Sequence, residues 1–336
     1  MRGKVPCSIL WFAILAAASA AGASVTAAAA QADCAAWRSP SGWRTFIVHS
    51  GGQERALRLY VPRSATAAKL PLVFDLHGSG GSGASQAALS GLSAVADRHG
   101  FLVANPDGGV QRTQPPAGHF WNIPGVPLIG NVTVPDDAPD EVQFISDALD
   151  QISAAACVDA HRVYATGMSG GARMASLLAC RLAGRLAAVA AVAGVRAGLA
   201  SESDAGQPDP ASCEPERPVP LLVFHGVRDP VNPYDGGGYD YWSYGVPAAL
   251  GRWAQIDQCP PLPVQKRLSP TVTLLRYRNC ASGTEIVFYR TDAPLERGGG
   301  HIWPGSRGAR AANGLKASEL IWQFFSRHPS SMRPQT

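Results

Sequence analysis

The chain has 336 residues, of which 46% are hydrophobic and 16% charged, and its formal net charge is +4. That hydrophobic fraction supports a folded protein with a sizeable core and excludes a disordered chain. The positive charge is too small and too scattered to indicate a nucleic-acid partner.

Residues 1–32 read as a secretory signal. Arg2 and Lys4 form a basic start, Ile9 to Ala17 an apolar core, and small-residue cleavage sites follow at Ala18-Ser19-Ala20, Ala21-Gly22-Ala23 or Ala30-Gln31-Ala32. The apolar part is short for a bilayer span, so cleavage is expected and no membrane partner after it. Cys34 follows Ala-Asp rather than a small-residue lipoprotein box, which disfavours a lipid anchor. Once Cys7 leaves with the signal, six cysteines remain, an even number that favours disulfides in an exported chain. The pairing expected is Cys259–Cys280, which closes a local loop, and Cys180–Cys213, with Cys34–Cys157 by elimination. No C-x-x-C pair suggests a metal, and none is expected, nor any cofactor. An Ala- and Arg-rich, Lys-poor composition points to a bacterial source, so the Asn131-Val132-Thr133 sequon carries little weight.

Thr45 to His49 and Ala56 to Val61 predict two strands joined by a Gly51-Gly52 turn. Leu72 to His77 predicts a buried parallel strand closed by the glycine-rich turn 78–83, followed by a helix over Ala84 to Arg98 and a short strand over Phe101 to Ala104. Residues 109–139 lack periodicity, and a loop of that length inside a domain is usually a lid or a pocket wall. A helix is predicted over Asp140 to Ala156, a strand over Val163 to Ala165, and another over Leu186 to Val195. Further strands are predicted over Val219 to Phe224, Val272 to Tyr277 and Glu285 to Tyr289, with helices over Pro247 to Ile256 and Leu315 to Phe325. Strands alternating with helices across residues 71–330 predict an α/β fold, a mostly parallel, doubly wound sheet with helices on both faces. No linker or repeat divides it, so 33–330 is expected to be one domain and 331–336 a polar tail.

The stretch on which the rest depends is Arg162 to Met174, which holds Gly167-Met168-Ser169-Gly170-Gly171. A G-x-S-x-G pattern between a strand and a helix is the context of a nucleophilic serine on a sharp turn, where residues two before and two after must be very small. The turn lifts the Ser169 hydroxyl above the sheet and aims the Gly170 N–H at an oxygen that becomes charged in acyl transfer. A serine nucleophile needs a base, and the base an orienting carboxylate. In this sheet order the acid follows the serine and the histidine comes last. His328 lies in a polar tail and reads as solvated, and His225 has only loop aspartates between it and Ser169. His301, in the glycine-rich 298–305 loop, is the base expected. Asp229, five residues after the strand that ends at Phe224, is the acid, with Asp292 the runner-up. The second oxyanion donor is expected from the Ser79 N–H in the His77 to Gly81 turn, with His77 fixing that turn by hydrogen bonding.

These pieces are similar to the polyhydroxybutyrate depolymerase and feruloyl esterase group of α/β-hydrolases. The likeness rests on RALRLYVP at 55–62, LHGSGGS at 76–82, NPDG at 105–108, DEVQF at 140–144, RVYATGMSGGARM, LAC at 178–180, HGVRDPVNPY at 225–234 and GGGHIWPG at 298–305. The resemblance implies an α/β-hydrolase fold and a secreted serine esterase. It implies Ser169, Asp229 and His301 as nucleophile, acid and base, Ser79 and Gly170 as oxyanion donors, and a Cys259–Cys280 bridge. Secreted polyester depolymerases of the group often carry a linker and a granule-binding domain after the catalytic unit. This chain stops after its closing helix, which tilts the expectation towards feruloyl or acetyl esters of plant polysaccharide and away from crystalline polyester. Aromatic residues crowd the neighbourhood of the motifs, and Trp121, Tyr234, Tyr241, Trp242 and Trp303 are candidates either for stacking on substrate or for packing between loops. A polyhydroxybutyrate or other polyester depolymerase stands as the alternative, and a peptidase, acyltransferase or non-catalytic binding protein on the same fold as a further one.

Overall fold

In the computed structural model, the described residues are 1, 3, 34, 39–65, 69–130, 132–295, 299–306 and 314–331. The expected signal over 1–32, Asn131, Gly298 and the tail beyond 331 lie outside them or nearly so.

The chain enters as an antiparallel pair, β1 (Gly42–Ser50) and β2 (Gln53–Val61), turned by Gly51 and Gly52 at positive φ. β3 (Leu70–Leu76) follows, then α1 (Gly83–Ser90) and α2 (Leu92–His99), then β4 (Leu102–Pro106). The single helix predicted over Ala84 to Arg98 is two helices because Gly91 takes a left-handed conformation, φ 61°, that ends the first and opens the second. The long loop after β4 carries a small hairpin, β5 (Val110–Arg112) with β6 (Gly118–Phe120). α3 (Glu141–Ala155) starts on an Asp140 cap and leads into β7 (Val158–Met168), α4 (Gly170–Arg181), β8 (Ala188–Val192) and β9 (Leu221–Gly226). A second hairpin, β10 (Gly236–Tyr239) with β11 (Trp242–Tyr244), precedes α5 (Val246–Ile256). The chain closes with β12 (Val264–Ser269), β13 (Val272–Tyr277), β14 (Ile286–Thr291) and α6 (Ala317–Phe325).

Ten strands form one sheet in the order β1-β2-β4-β3-β7-β8-β9-β14-β13-β12. The run from β4 to β14 is parallel, and the outer strands on both sides pair antiparallel. β12 is the one strand of this sheet with no sequence prediction. It is an edge strand, exposed along nearly its whole length, so VQKRLS has no buried face to impose a period of two.

Side chains alternate across the sheet. On β3, Leu72, Phe74 and Leu76 enter one core, and Val73 enters the other; on β7, Val163 and Ala165 oppose Tyr164 in the same way. Residues of α3, α4 and α5 fill the first core, and residues of α2 and α6 the second. This is the doubly wound arrangement predicted from the strand–helix alternation. Disulfides join Cys34 to Cys157, Cys180 to Cys213 and Cys259 to Cys280. The first closes a loop of more than a hundred residues, the kind whose loss costs most in chain entropy. Among the described residues, no helix is long and apolar enough to cross a membrane.

One buried acid gives a stability test. Asp257, at the end of α5, accepts the Val219 N–H at 3.1 Å on Oδ1, while Oδ2 is buried with no hydrogen-bond partner. Burial pushes its carboxyl up to about 7. The folded state therefore holds the proton more tightly than the unfolded chain, and this group's contribution to stability falls as pH rises from the ordinary carboxylate range through about 7. Asp257→Asn keeps the Oδ1 acceptor and cannot ionise. Urea midpoints at pH 5 and pH 8 should show the variant gaining on wild type at the higher pH; an equal difference at both would mean that Asp257 does not titrate in the fold.

Candidate active site

The parallel strands deliver their carboxyl ends to one edge, where α/β sheets bind ligands. β3 ends there at Leu76, β7 at Met168, β8 at Val192 and β9 at Gly226. Ser169 follows β7 directly. Its backbone sits at φ 56° and ψ −114°, a conformation that costs a non-glycine residue on the order of 1–3 kcal/mol. Two bonds hold it there: the Ser169 N–H donates to Val192 O at 2.9 Å, and the Arg173 N–H donates to Ser169 O at 3.0 Å. The flanking glycines are required by close approach. A Cβ on Gly167 would run into the Gly171 backbone and Leu76 O, and one on Gly171 into Leu76 O and His77 O. The turn thus packs against the end of β3 with no room for side chains. Ser169 is 6% exposed.

Asp229 lies in the loop after β9. Its Oδ1 accepts the N–H of Val231 at 2.8 Å and of Asn232 at 2.9 Å, and its Oδ2 accepts from His301 Nδ1 at 2.7 Å. Burial pushes this carboxyl up, but the His301 bond, the two neighbouring histidines and the Asn232 N–H outweigh it and hold Asp229 below the usual carboxylate range. Asn232 ties the loop to the serine turn by donating to Ala193 O at 2.6 Å, one residue beyond the carbonyl that holds Ser169. The 299–301 loop is docked by the same principle of close backbone approach, since a Cβ on Gly226 would overlap the Gly299 backbone. His301 keeps 16% of its side chain exposed. No hydrogen bond joins it to the Ser169 hydroxyl among the described residues, a contact that apo sites often leave long.

His225, at the end of β9, is the residue that sequence reasoning set aside as a base and did not otherwise place. It is buried, donates from Nε2 to Asn232 O at 2.9 Å and lies 3.5 Å from Asp229 Oδ2, while its Nδ1 has no partner. Burial lowers its pKa, so it supports the acid's loop as a neutral ring. Asp292, the runner-up acid, is engaged with Arg290 at 3.1 Å. His328 is partly buried rather than solvated: its Nδ1 donates to Phe324 O at the end of α6.

The turn after β3 stands beside the serine. A Cβ on Gly170 would meet Ser79 N at 2.9 Å, so these two backbone amides are neighbours. The Ser79 N–H makes no hydrogen bond among the described residues, and Gly170 opens α4, where first-turn N–H groups have no helical partner. His77 braces the turn. Gly108 N–H donates to its Nε2 at 2.9 Å, and its Nδ1 donates to Gly78 O at 2.8 Å. This fixes one neutral tautomer, and burial pushes the ring down to about 4. Glu141, paired with Arg55 at 2.8 Å, accepts the Gly109 N–H at 2.6 Å and so anchors the segment next to Gly108.

The aromatic candidates separate into supports and walls. Trp121, Trp242 and Trp303 are buried, with no more than 2% exposed, and their indole N–H groups are spent on His77 O, Pro233 O and Ser318 Oγ. The indole N–H groups of Trp121 and Trp242 are thus held by neighbouring loops, and that of Trp303 by α6. Tyr234 is half-buried against Phe288. Tyr241 and Trp242 carry arginines: the Arg173 guanidinium lies 4.9 Å over Tyr241, and that of Arg196 lies 4.7 Å over Trp242 and 3.4 Å over Tyr244. Neither arginine stood out in the sequence. Arg173 is one turn along α4 from Ser169, is 5% exposed and donates from Nη2 to Ser79 Oγ at 3.0 Å, while its Nε and Nη1 have no partner. Burial, then the charge of Arg196, brings it down to about 10, so it stays charged at neutral pH.

A strand-borne serine beside two free amides, with a carboxylate–histidine pair at the same sheet edge, defines an α/β-hydrolase. An acetyl xylan esterase from Aspergillus awamori has the same fold, with a TM-score of 0.58 at 16% identity, over 84% of this chain and 99% of that one. The family model Esterase PHB depolymerase matches residues 55–207. Feruloyl esterase B of Piromyces equi is 32% identical over 69% of this chain and 39% of its own length. The bifunctional acetylxylan esterase/xylanase XynS20E of Neocallimastix patriciarum is 26% identical over 70% of this chain and 30% of its own. The chain thus spans well under half the length of these two relatives. Over these stretches it is similar to the polyhydroxybutyrate depolymerase and feruloyl esterase family of carboxylic ester hydrolases.

Proposed function

We propose that the protein is a secreted serine esterase, with residues 1–32 its signal and 33–330 its catalytic domain. The observation that carries the reading is the pairing of a strained, strand-end Ser169 with the His301–Asp229 hydrogen bond at the same sheet edge. In the reaction, Ser169 Oγ attacks the ester carbonyl carbon while His301 Nε2 takes its proton. The carbonyl oxygen becomes an oxyanion facing the Ser79 and Gly170 N–H groups, each such donor contributing about 3–4 kcal/mol in the transition state. Collapse breaks the bond to the alcohol, which leaves with the proton from His301. Water, deprotonated by His301, then attacks the acyl-enzyme and releases the acid.

The substrates proposed are feruloyl or acetyl esters of plant polysaccharide, supported by the likeness to a feruloyl esterase and an acetylxylan esterase. Three disulfides fit an oxidising compartment. A polyester depolymerase is the second reading, favoured by the description of the matching family model. Initial rates on p-nitrophenyl acetate and butyrate, methyl ferulate and amorphous polyhydroxybutyrate separate them. Ferulate turnover is expected, and labelling by an organophosphonate should abolish it. Clearing of the polymer without ferulate turnover would establish the second reading, and full activity after labelling would remove the acyl-enzyme mechanism.

A further inference from the structure

Behind the oxyanion turn lies a cavity of about 490 Å³ that the reaction described above does not use. Its size is that of a small-molecule site. It runs along the face of α4 that carries Arg173, Leu177 and Arg181, and the 123–126 loop, the start of α3 and Arg196 with Leu199 complete it. The walls are mainly apolar, and the charges on them are unbalanced. Arg173, Arg181 and Arg196 line it against a single acid, Asp140, whose Oδ1 is occupied in capping α3 through the Val142 and Gln143 N–H groups.

Arg173 and Arg196 are the informative pair. They are 5% and 9% exposed, the like charge of Arg196 acts against that of Arg173, and no carboxylate is paired with either. Arg196 is held by Tyr244 O at 2.7 Å and by two aromatic faces, and Arg173 by Ser79 Oγ and one aromatic face. Those partners fix the guanidinium groups in place without neutralising them. Two buried like charges beside one cavity are unfavourable unless an anion joins them. Two N–H-bearing atoms of Arg173, Nε and Nη1, are also left without acceptors.

We propose that this cavity is a subsite for a free carboxylate carried by the ester substrate, held between Arg173 and Arg196 while the ester carbonyl sits at Ser169. The proposal rests on the serine-esterase reading. The spacing suits it: Arg173 and Leu177 are four and eight residues along α4, about 6 and 12 Å of helix rise from Ser169. A substrate carrying a carboxylate several carbons from its ester bond spans that offset. The carboxylate is a bystander in the chemistry, and its effect is on binding. Because Arg173 also holds the oxyanion turn through Ser79, a bound carboxylate is coupled to that turn through one side chain.

The test compares matched pairs. On the acyl side, p-nitrophenyl hydrogen adipate is set against its methyl ester; on the alcohol side, 4-acetoxybenzoate against methyl 4-acetoxybenzoate. In at least one pair the anion should have a kcat/KM roughly tenfold or more above the neutral ester, as charge-assisted hydrogen bonds to arginine provide, and mainly through KM. The pair that responds tells which side of the ester enters the cavity. The preference should shrink towards one in Arg173→Met and Arg196→Met, and in wild type as salt is raised. A wild-type ratio at or below one in both pairs, with the neutral esters still turned over, would overturn the subsite and leave the esterase reading intact. Activity on neutral esters that survives Ser169→Ala would instead overturn the reading beneath it. Calorimetric titration of the Ser169→Ala protein with both members of each pair decides the subsite without turnover: tighter binding of the anion supports it, and equal binding overturns it.

Discussion

Ser169→Ala is expected to lower kcat/KM for p-nitrophenyl butyrate by on the order of 10⁴–10⁶, leaving only what binding and the oxyanion donors provide. The size follows from how much of the site exists to serve this one oxygen. The φ of 56° at Ser169, the Gly167 and Gly171 contacts with β3 and the Val192 carbonyl all hold the hydroxyl at the end of β7. None of them holds it for packing, and alanine keeps every backbone bond, so the thermal midpoint of the variant should match wild type. Ser169→Gly sharpens the point. Glycine takes positive φ without the Cβ penalty, so this variant should be as inactive as alanine and at least as stable, strain relief offsetting the greater freedom of the unfolded chain. An alanine variant that keeps more than a hundredth of the activity would move the nucleophile elsewhere. A variant that fails to fold would make Ser169 a structural residue.

What the sequence disclosed and what it hid follow from the range of the interactions. The serine turn was legible because its demands are local: a β-rich run, two glycines at fixed offsets and a helix fall within thirteen consecutive residues. The parallel sheet was legible because each central strand is buried on both faces and reads as an apolar run. The hairpin β10–β11 and the edge strand β12 were not, since Gly236 to Tyr239 and Val264 to Ser269 are almost wholly exposed and carry no burial pattern. Asp229 could be picked from the aspartates because it closely follows a buried strand, but its Oδ1 bonds to Val231 and Asn232 need the folded loop. Arg173 was hidden inside the motif itself. A charged residue at the fourth position of a helix ordinarily faces water, and only the packing of Ser79 and Tyr241 around it shows a buried charge. The tryptophans stayed open between stacking and packing for a related reason: an aromatic near a motif signals the neighbourhood of a site without saying which way the ring points. The Trp121 N–H donates to His77 O in the turn after β3, and Trp242 lies beneath an arginine.

Asp229→Asn should lower kcat on the order of 10⁴-fold with a small change in KM, although it removes no atom from the site. The loop decides which way the asparagine faces. Val231 and Asn232 N–H both donate to the Oδ1 position, so the amide oxygen must sit there and the NH₂ must face His301. His301 Nδ1 would then have to accept rather than donate, which places the ring proton on Nε2 and leaves no lone pair for the serine proton. The opposite flip would set NH₂ against two backbone donors in a buried loop, costing about 1–3 kcal/mol for each unsatisfied group. The stability record should carry its own sign. The folded state holds the Asp229 carboxyl below its usual range, so its ionised form contributes stability above that range, and the contribution is lost as pH falls through it. Asp229→Asn should therefore be less stable than wild type in urea at pH 7, and the gap should narrow as pH falls below the ordinary carboxylate range. Activity above a tenth of wild type would pass the acid's role to Asp292, and that transfer has a separate check. Asp292 is bound to Arg290, so Arg290→Met would then raise or lower the rate, whereas with Asp229 as the acid it should leave the rate within about twofold, as expected for a partly exposed pair away from the reacting atoms.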